Sequence, residues 1–311
     1  MRVASSLSLA LALFAPFSAG DALAVRVNGV WQEWWHADRA PARWTAPSAA
    51  LGSALRWHAA TPGLEWGDAE LSAPCEGWRT RLVVVRIDPA RHRFALQMSQ
   101  GDDLDPDWSV DSAGDSALVA VNAGQFSRML PWGWLVNGGR ELAQPGVGPL
   151  SMAIVFDSSG AVRFVAADSI AAARARGHIA NAFQSYPTLL TGDGEVPAIL
   201  RTTGPSPNID LAHRDSRVAM GELRDGRILI AMTRFNALGD AAAKVPFGLT
   251  IPEMSALMGA LGCRRAVSLD GGISGQLAVR ESTGELRKWT AWRFVPLGLV
   301  VLPSLADSAR R

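Results

Sequence analysis

From Arg79 onward, apolar and β-branched residues fall in short blocks separated by glycine- and aspartate-bearing turns. Thr80-Arg81-Leu82-Val83-Val84-Val85-Arg86-Ile87 is one block, Asp88-Pro89 makes a turn, and Phe94-Ala95-Leu96-Gln97-Met98 resumes, so the segment predicts a strand, a turn and a strand. Ala117-Leu118-Val119-Ala120-Val121 predicts a buried strand. Trp134-Leu135-Val136 and Glu141-Leu142-Ala143 flank Asn137-Gly138-Gly139, a hairpin signal because Asn and Gly tolerate positive φ. Ala153-Ile154-Val155-Phe156 and Val162-Arg163-Phe164-Val165 flank Asp157-Ser158-Ser159-Gly160 in the same way. Val218-Ala219-Met220 and Ile228-Leu229-Ile230-Ala231-Met232 flank Arg224-Asp225-Gly226. The pattern predicts successive hairpins.

Helices are few. Ile170–Arg176 is alanine-rich, with Asp168 or Ser169 as N-cap and Gly177 placed to end it. Thr250-Ile251-Pro252-Glu253 is a capping box: the Thr250 hydroxyl accepts from the first turn and Glu253 reaches back to the cap amide. Met254, Leu257, Met258 and Leu261 then recur at helical spacing, and Gly262 closes the helix. Ala266-Val267-Ser268-Leu269 follows as a strand running into Asp270-Gly271-Gly272. The expectation is an α+β fold: mostly antiparallel sheet of successive hairpins, a few packed helices, and a single main domain.

The N-terminal part reads differently. Arg2, an uncharged stretch from Val3 to Gly20 and the small residues Ala22-Leu23-Ala24 predict a cleaved secretory signal over residues 1–24. Ser8 and Pro16 interrupt the apolar run, which falls short of the roughly 20 apolar residues of a membrane span. The expected mature protein is therefore periplasmic or secreted, with no membrane span after signal removal. Residues 25–75 hold Trp31, Trp34, Trp35, Trp44, Trp57 and Trp66 without a sustained period, and read as an irregular extension that buries indoles against the main domain, with a sugar-stacking platform as the alternative. The main domain is expected over 76–303, with a tail over 304–311.

Composition narrows the function. With 30 Lys+Arg against 29 Asp+Glu, the formal charge of +1 supplies no electrostatic footprint for nucleic acid. Two cysteines, Cys75 and Cys263, cannot form a disulfide framework or a cysteine-only zinc site, and whether they pair stays open. The five histidines lack zinc-ligand spacing, and no Gly-x-Ser-x-Gly elbow occurs. No cofactor and no metal is expected, although carboxylates and carbonyls from distant loops can hold a divalent cation without histidine.

What remains are polar residues at strand ends. Asn122-Ala123-Gly124, then Gln184-Ser185-Tyr186-Pro187, Arg217 before Val218-Ala219-Met220-Gly221, Gly248-Leu249-Thr250 with Glu253, and Leu269-Asp270-Gly271-Gly272 follow one another in that order. This series resembles the phosphodiester glycosidase family over roughly residues 76–303. Two positions depart from the family pattern: Gln125 stands where an aromatic is usual, and Ile273 precedes Ser274. The best-known member of that family removes N-acetylglucosamine from a sugar phosphodiester. The resemblance implies a hydrolase acting on a glycosyl-phosphodiester or a related saccharide of the envelope or an exopolysaccharide. Cleavage builds oxocarbenium charge on the sugar while a phosphate leaves, so the site needs a carboxylate at the anomeric carbon and cations or amides around the phosphate.

Asp270 is then expected at the anomeric centre and Arg217 on the phosphate, with Asn122 and, as an outside candidate, Glu253 among the catalytic residues. Gln184, Ser185, Gly271, Gly272 and Ser274 are expected to bind substrate, and Trp132 and Trp134 to stack on sugar. Each also has a plainer role: Asp270-Gly271-Gly272 as a turn, Glu253 as the capping partner, Trp132 and Trp134 as core. An alternative from another class, a non-catalytic carbohydrate-binding or assembly protein for surface polysaccharide, suits the 12 tryptophans.

Overall fold

The computed structural model describes residues 22–72, 79–100, 105–127, 130–148, 150–201, 209–236 and 244–304. Leu82 and Val84 lie on one side of their strand and Val83, Val85 and Ile87 on the other, and all five are fully buried. A strand covered on both faces reads as a continuous apolar run, and that is why alternation is missing here.

That strand, Arg79–Ile87, sits within a nine-stranded sheet. Thr188–Leu190, Cys263–Ser268, Val218–Leu223, Ile228–Phe235, Arg79–Ile87, Leu64–Ser72, Ala22–Val27 and Val30–His36 lie side by side in that order, and Arg56–Thr61 also pairs with Leu64–Ser72. One face carries helices α1 (Ala49–Ala54) and α3 (Ile251–Ala260), through Leu51, Leu257 and Met258. The other face meets two five-stranded sheets in a shared core that joins Val85 and Met220 to Ile154, Phe183, Val121 and Leu299. One of these sheets runs Arg140–Ala143, Leu135–Asn137, Ile179–Ser185, Met152–Asp157, Val162–Ala166. The other runs Leu286–Trp289, Leu277–Arg280, Val119–Asn122, Leu297–Pro303, His92–Met98. Helix α2 (Ile170–Arg176) covers the outer face of the first through Ile170 and Ala173. The architecture is the expected α+β arrangement dominated by antiparallel strands.

The three hairpins around residues 137–139, 157–160 and 224–226 form with direct strand pairing. The capping box also forms, with Glu253 N bonded to Thr250 Oγ1 at 3.3 Å and Thr250 N to Glu253 Oε2 at 2.8 Å. Asp88-Pro89 differs from a hairpin turn, because it carries the chain out of the nine-stranded sheet and His92–Met98 pairs with Leu297–Pro303 instead.

The tryptophan-rich segment is a larger departure. It supplies four strands and α1, and Leu64–Ser72 pairs along its whole length with Arg79–Ile87. Its period was hidden because Leu64 and Trp66 face one core while Ala69 and Leu71 face the other. Asp68, buried between them, accepts hydrogen bonds from Arg56 at 2.7 Å and Arg81 at 3.0 Å, and these guanidiniums hold its carboxyl below the usual range against the cost of burial. Most of the expected leader, residues 1–21, lies outside the described residues, as do Cys75 and the tail from 305. The expected leader end does not: Ala22 opens the Ala22–Val27 strand and Leu23 is fully buried. Cys263 is a buried free thiol whose ionisation burial pushes far up. No helix among the described residues is long and apolar enough to cross a membrane.

Candidate active site

The site forms where the Val119–Asn122 and Cys263–Ser268 strands end and the Val218–Leu223 strand begins. Asn122, fully buried, donates from Nδ2 to the Asp270 carbonyl at 2.6 Å and accepts from Gln276 N at 2.9 Å. One side chain thus ties both ends of the 270–276 loop. Gly272 N donates to the Ser216 carbonyl at 2.8 Å, and Ser216 Oγ returns a bond to the Gly272 carbonyl at 2.8 Å. This contact requires glycines: a Cβ on Gly271 would lie 2.5 Å from the Ser216 carbonyl, and one on Gly272, at φ +59°, would lie 2.8 Å from Asp215 Oδ2.

The loop opens onto a cleft of about 340 Å³ lined by Phe126, His213, Asp215, Pro246, Asp270, Gly271, Gly272, Ile273, Ser274 and Arg293. Two carboxylates face it. Burial pushes the Asp270 carboxyl up to about 6, the charge of Asp215 adds to the rise, and a bond from Ser274 and the charge of Arg293 oppose it. Burial also raises Asp215, against the charge of Arg217, a bond from Ser216 N at 2.8 Å and His213, whose Nε2 is 3.6 Å away. The Arg293 guanidinium rests over the Phe126 ring, 4.8 Å from its centroid, which holds a cation at the cleft. The cleft therefore joins a protonatable carboxyl, a second carboxylate and a cation.

Of the expected residues, the structure brings Asp270, Gly271, Gly272 and Ser274 to the cleft. Arg217 does not line it: Nε donates to the Leu249 carbonyl at 2.8 Å and Nη2 to the His213 carbonyl at 2.6 Å, so Arg217 braces the segments that present His213 and Asp215. Asn122 is a brace as well. Gln184 is buried, its Oε1 accepting from Trp134 N and Gly146 N and its Nε2 donating to the Gly146 carbonyl and Ser151. Ser185 is buried between Gln125 and the Ser268 carbonyl. Trp134 is a core residue, only 1% exposed, with its indole N–H bonded to Glu141. Trp132 is half-buried over Gly146 and meets the Tyr186 ring edge-on. Glu253 holds Arg214 through two bonds of 2.7 and 2.8 Å in addition to its cap. The polar side-chain atoms of Asn122, Gln184, Ser185, Trp134 and Glu253 thus already have protein partners, which places these five residues in the frame around the cleft.

Asp215 and Phe126 belong to polar strand ends that the sequence marks, but neither they nor His213 and Arg293 were assigned a role from it. Asp215 stands two residues before Arg217, where the shared strand end was the available signal, whereas nothing in the spacing of Trp292-Arg293-Phe294 marks Arg293.

The fold resembles the catalytic domain of zebrafish N-acetylglucosamine-1-phosphodiester alpha-N-acetylglucosaminidase, solved in a state auto-inhibited by its pro-peptide. The TM-score is 0.60 at 16% identity, covering 86% of this chain and 94% of that one. A hypothetical protein from Synechocystis is similar with a TM-score of 0.50 at 17% identity, over 80% of this chain and 64% of that one. No curated protein matches the chain in sequence. The sequence profile of phosphodiester glycosidases matches residues 115–302, a span that holds the whole cleft. The binding-only alternative thereby gives way: the chain belongs to the phosphodiester glycosidase family and is a glycosidase.

Proposed function

We propose that the protein is an exported hydrolase that cleaves the bond between a sugar's anomeric carbon and a phosphate, in a glycosyl-phosphodiester of an envelope or extracellular saccharide. The observation that carries this reading is the presence of two carboxylates, Asp270 and Asp215, in one cleft with Arg293 beside Asp270. Ionised Asp270 stabilises or attacks the anomeric carbon as the glycosyl–oxygen bond breaks, and the phosphate monoester leaves with the bonding electrons. Arg293 offsets the charge of that phosphate. Asp215 takes the proton of the water that completes hydrolysis, with His213 Nε2 3.6 Å from its carboxylate. Phosphate is a good leaving group, so the site does not need a strong acid behind it. Arg217 acts as a positioning residue through the carbonyls of His213 and Leu249.

The test is release of free sugar from paired α- and β-linked glycosyl-phosphodiesters by the purified protein, with phosphate-free glycosides alongside. Wild type is expected to cleave one anomer of the phosphodiester and to leave the plain glycoside intact. Asp270→Ala should abolish turnover, and Arg293→Ala should raise KM for the phosphodiester by about tenfold, the loss of one charge-assisted contact. Full turnover by Asp270→Ala, or indifference to the phosphate, would overturn the assignment.

A further inference from the structure

A second concavity lies away from the cleft and shares no lining residue with it. It is a groove of about 800 Å³ where the open edge strand Val162–Ala166 of one five-stranded sheet faces the edge of the nine-stranded sheet at Thr188. Arg265 on its wall precedes Asp270 by five residues of extended chain, roughly 17 Å at strand rise.

Its charge is out of proportion to the chain. Four arginines, Arg163, Arg176, Arg264 and Arg265, line it against two carboxylates, Asp168 and Glu222. Glu222 is shared by Arg264 at 2.5 Å and Arg265 at 3.1 Å, so one carboxylate serves two guanidiniums. The Nε atoms of Arg163 and Arg264 are buried without a hydrogen-bond partner among the described residues. The groove therefore carries more guanidinium than carboxylate, and an anion is the ligand whose charge complements it. The volume lies within the range of small-molecule sites, and Ser169 and Thr191 are among the polar residues that line the groove.

We infer that this groove is a second, non-catalytic site that holds an anionic stretch of a saccharide chain, its phosphate or carboxylate groups paired with Arg163 and Arg176. The anionic character follows from the groove itself, whereas the choice of a saccharide rests on the proposed function. A glycosidase that grips the polymer away from its cleft keeps the scissile bond at high local concentration. Arg163 and Arg176 are the informative positions, because Arg264 and Arg265 also hold Glu222.

The experiment uses dextran sulfate of defined length as the anionic probe, neutral dextran of equal length as the control, and oligoglutamate as the peptide alternative. Binding is measured by calorimetry on the full chain. Wild type and Asp270→Asn should bind dextran sulfate equally and at least tenfold more tightly than neutral dextran. Arg163→Gln/Arg176→Gln should lose at least tenfold, while Arg163→Lys/Arg176→Lys keeps most of the affinity. The Gln pair should still cleave a short glycosyl-phosphodiester at the wild-type rate, which separates this site from the cleft and shows that the variant folds. Equal affinity of wild type and the Gln pair, or tighter binding of oligoglutamate than of dextran sulfate, would overturn the inference. Because binding is read without turnover, the groove is tested even if the chain cleaves no phosphodiester, and the two readings fail separately.

Discussion

Asp270 combines two opposed demands at a single residue. Burial raises its carboxyl to about 6, so the folded protein holds a proton there that the unfolded chain has already released. Between pH 4 and 6 the native state thus binds more protons than the unfolded state, and the contribution of Asp270 to stability declines as pH rises through that window. Asp270→Asn, which removes the buried charge, is expected to raise unfolding stability at pH 7 by on the order of 2 kcal/mol and to match wild type at pH 4, as urea titrations at the two values would show. An equal gain at both would mean that the charge is not the cause. The same residue predicts that turnover falls as pH drops below about 6, where the carboxylate takes its proton. The acid limb of kcat/KM measures this, and a flat profile from pH 5 to 8 would contradict an ionised Asp270.

At the scale of elements, α3 illustrates how one side chain serves several needs. Glu253 closes the capping box, pairs with Arg214 and is only 3% exposed. Glu253→Ala removes the carboxylate that pairs with the part-buried Arg214 guanidinium and uncaps the helix, so it is expected to destabilise by about 2–4 kcal/mol. Turnover per folded molecule should persist, since Glu253 does not line the cleft. A denaturant melt together with an active-site titration checks both halves. The first strand bears on export. A leader cut after Ala24 would remove half of Ala22–Val27, including fully buried Leu23. If the protein is exported, the mature chain is expected to begin at or before Ala22, and Ser18-Ala19-Gly20 offers the small residues for such a cut. N-terminal sequencing of the processed protein decides this, and a start at Val25 would show that the strand is dispensable.

For the whole molecule, the boundary expected at residue 76 has no structural counterpart as a domain edge. Leu23, Val25, Leu71 and Leu51 are fully buried in the core beneath α3, alongside Leu257 and Met258. Removing residues 22–72 would expose one edge of Arg79–Ile87 and strip that core of much of its apolar cover. A chain beginning at 76 is therefore expected to be insoluble or to melt without a cooperative transition, as calorimetry would show. A sharp transition near the wild-type midpoint would mean that the N-terminal strands are an accessory layer.

The hairpins at 137–139, 157–160 and 224–226, the capping box at Thr250 and the order of the polar motifs were legible in the sequence. Each depends on chain-local chemistry: positive φ at Asn-Gly and Gly, a hydroxyl three residues before a carboxylate, an apolar run of strand length. The Asp270-Gly271-Gly272 turn was legible for the same reason. Which polar residues face the cleft was not. Asn122, Gln184, Ser185 and Glu253 carry the same donors and acceptors as site residues, and only packing decides whether those atoms meet the protein or the substrate. Asp215 and Arg293 belong to segments far apart in sequence and reach one cleft because the sheets around it bring their ends together. Local order is written along the chain, whereas burial and charge proximity arise from contacts between distant segments, and tertiary structure alone sets these.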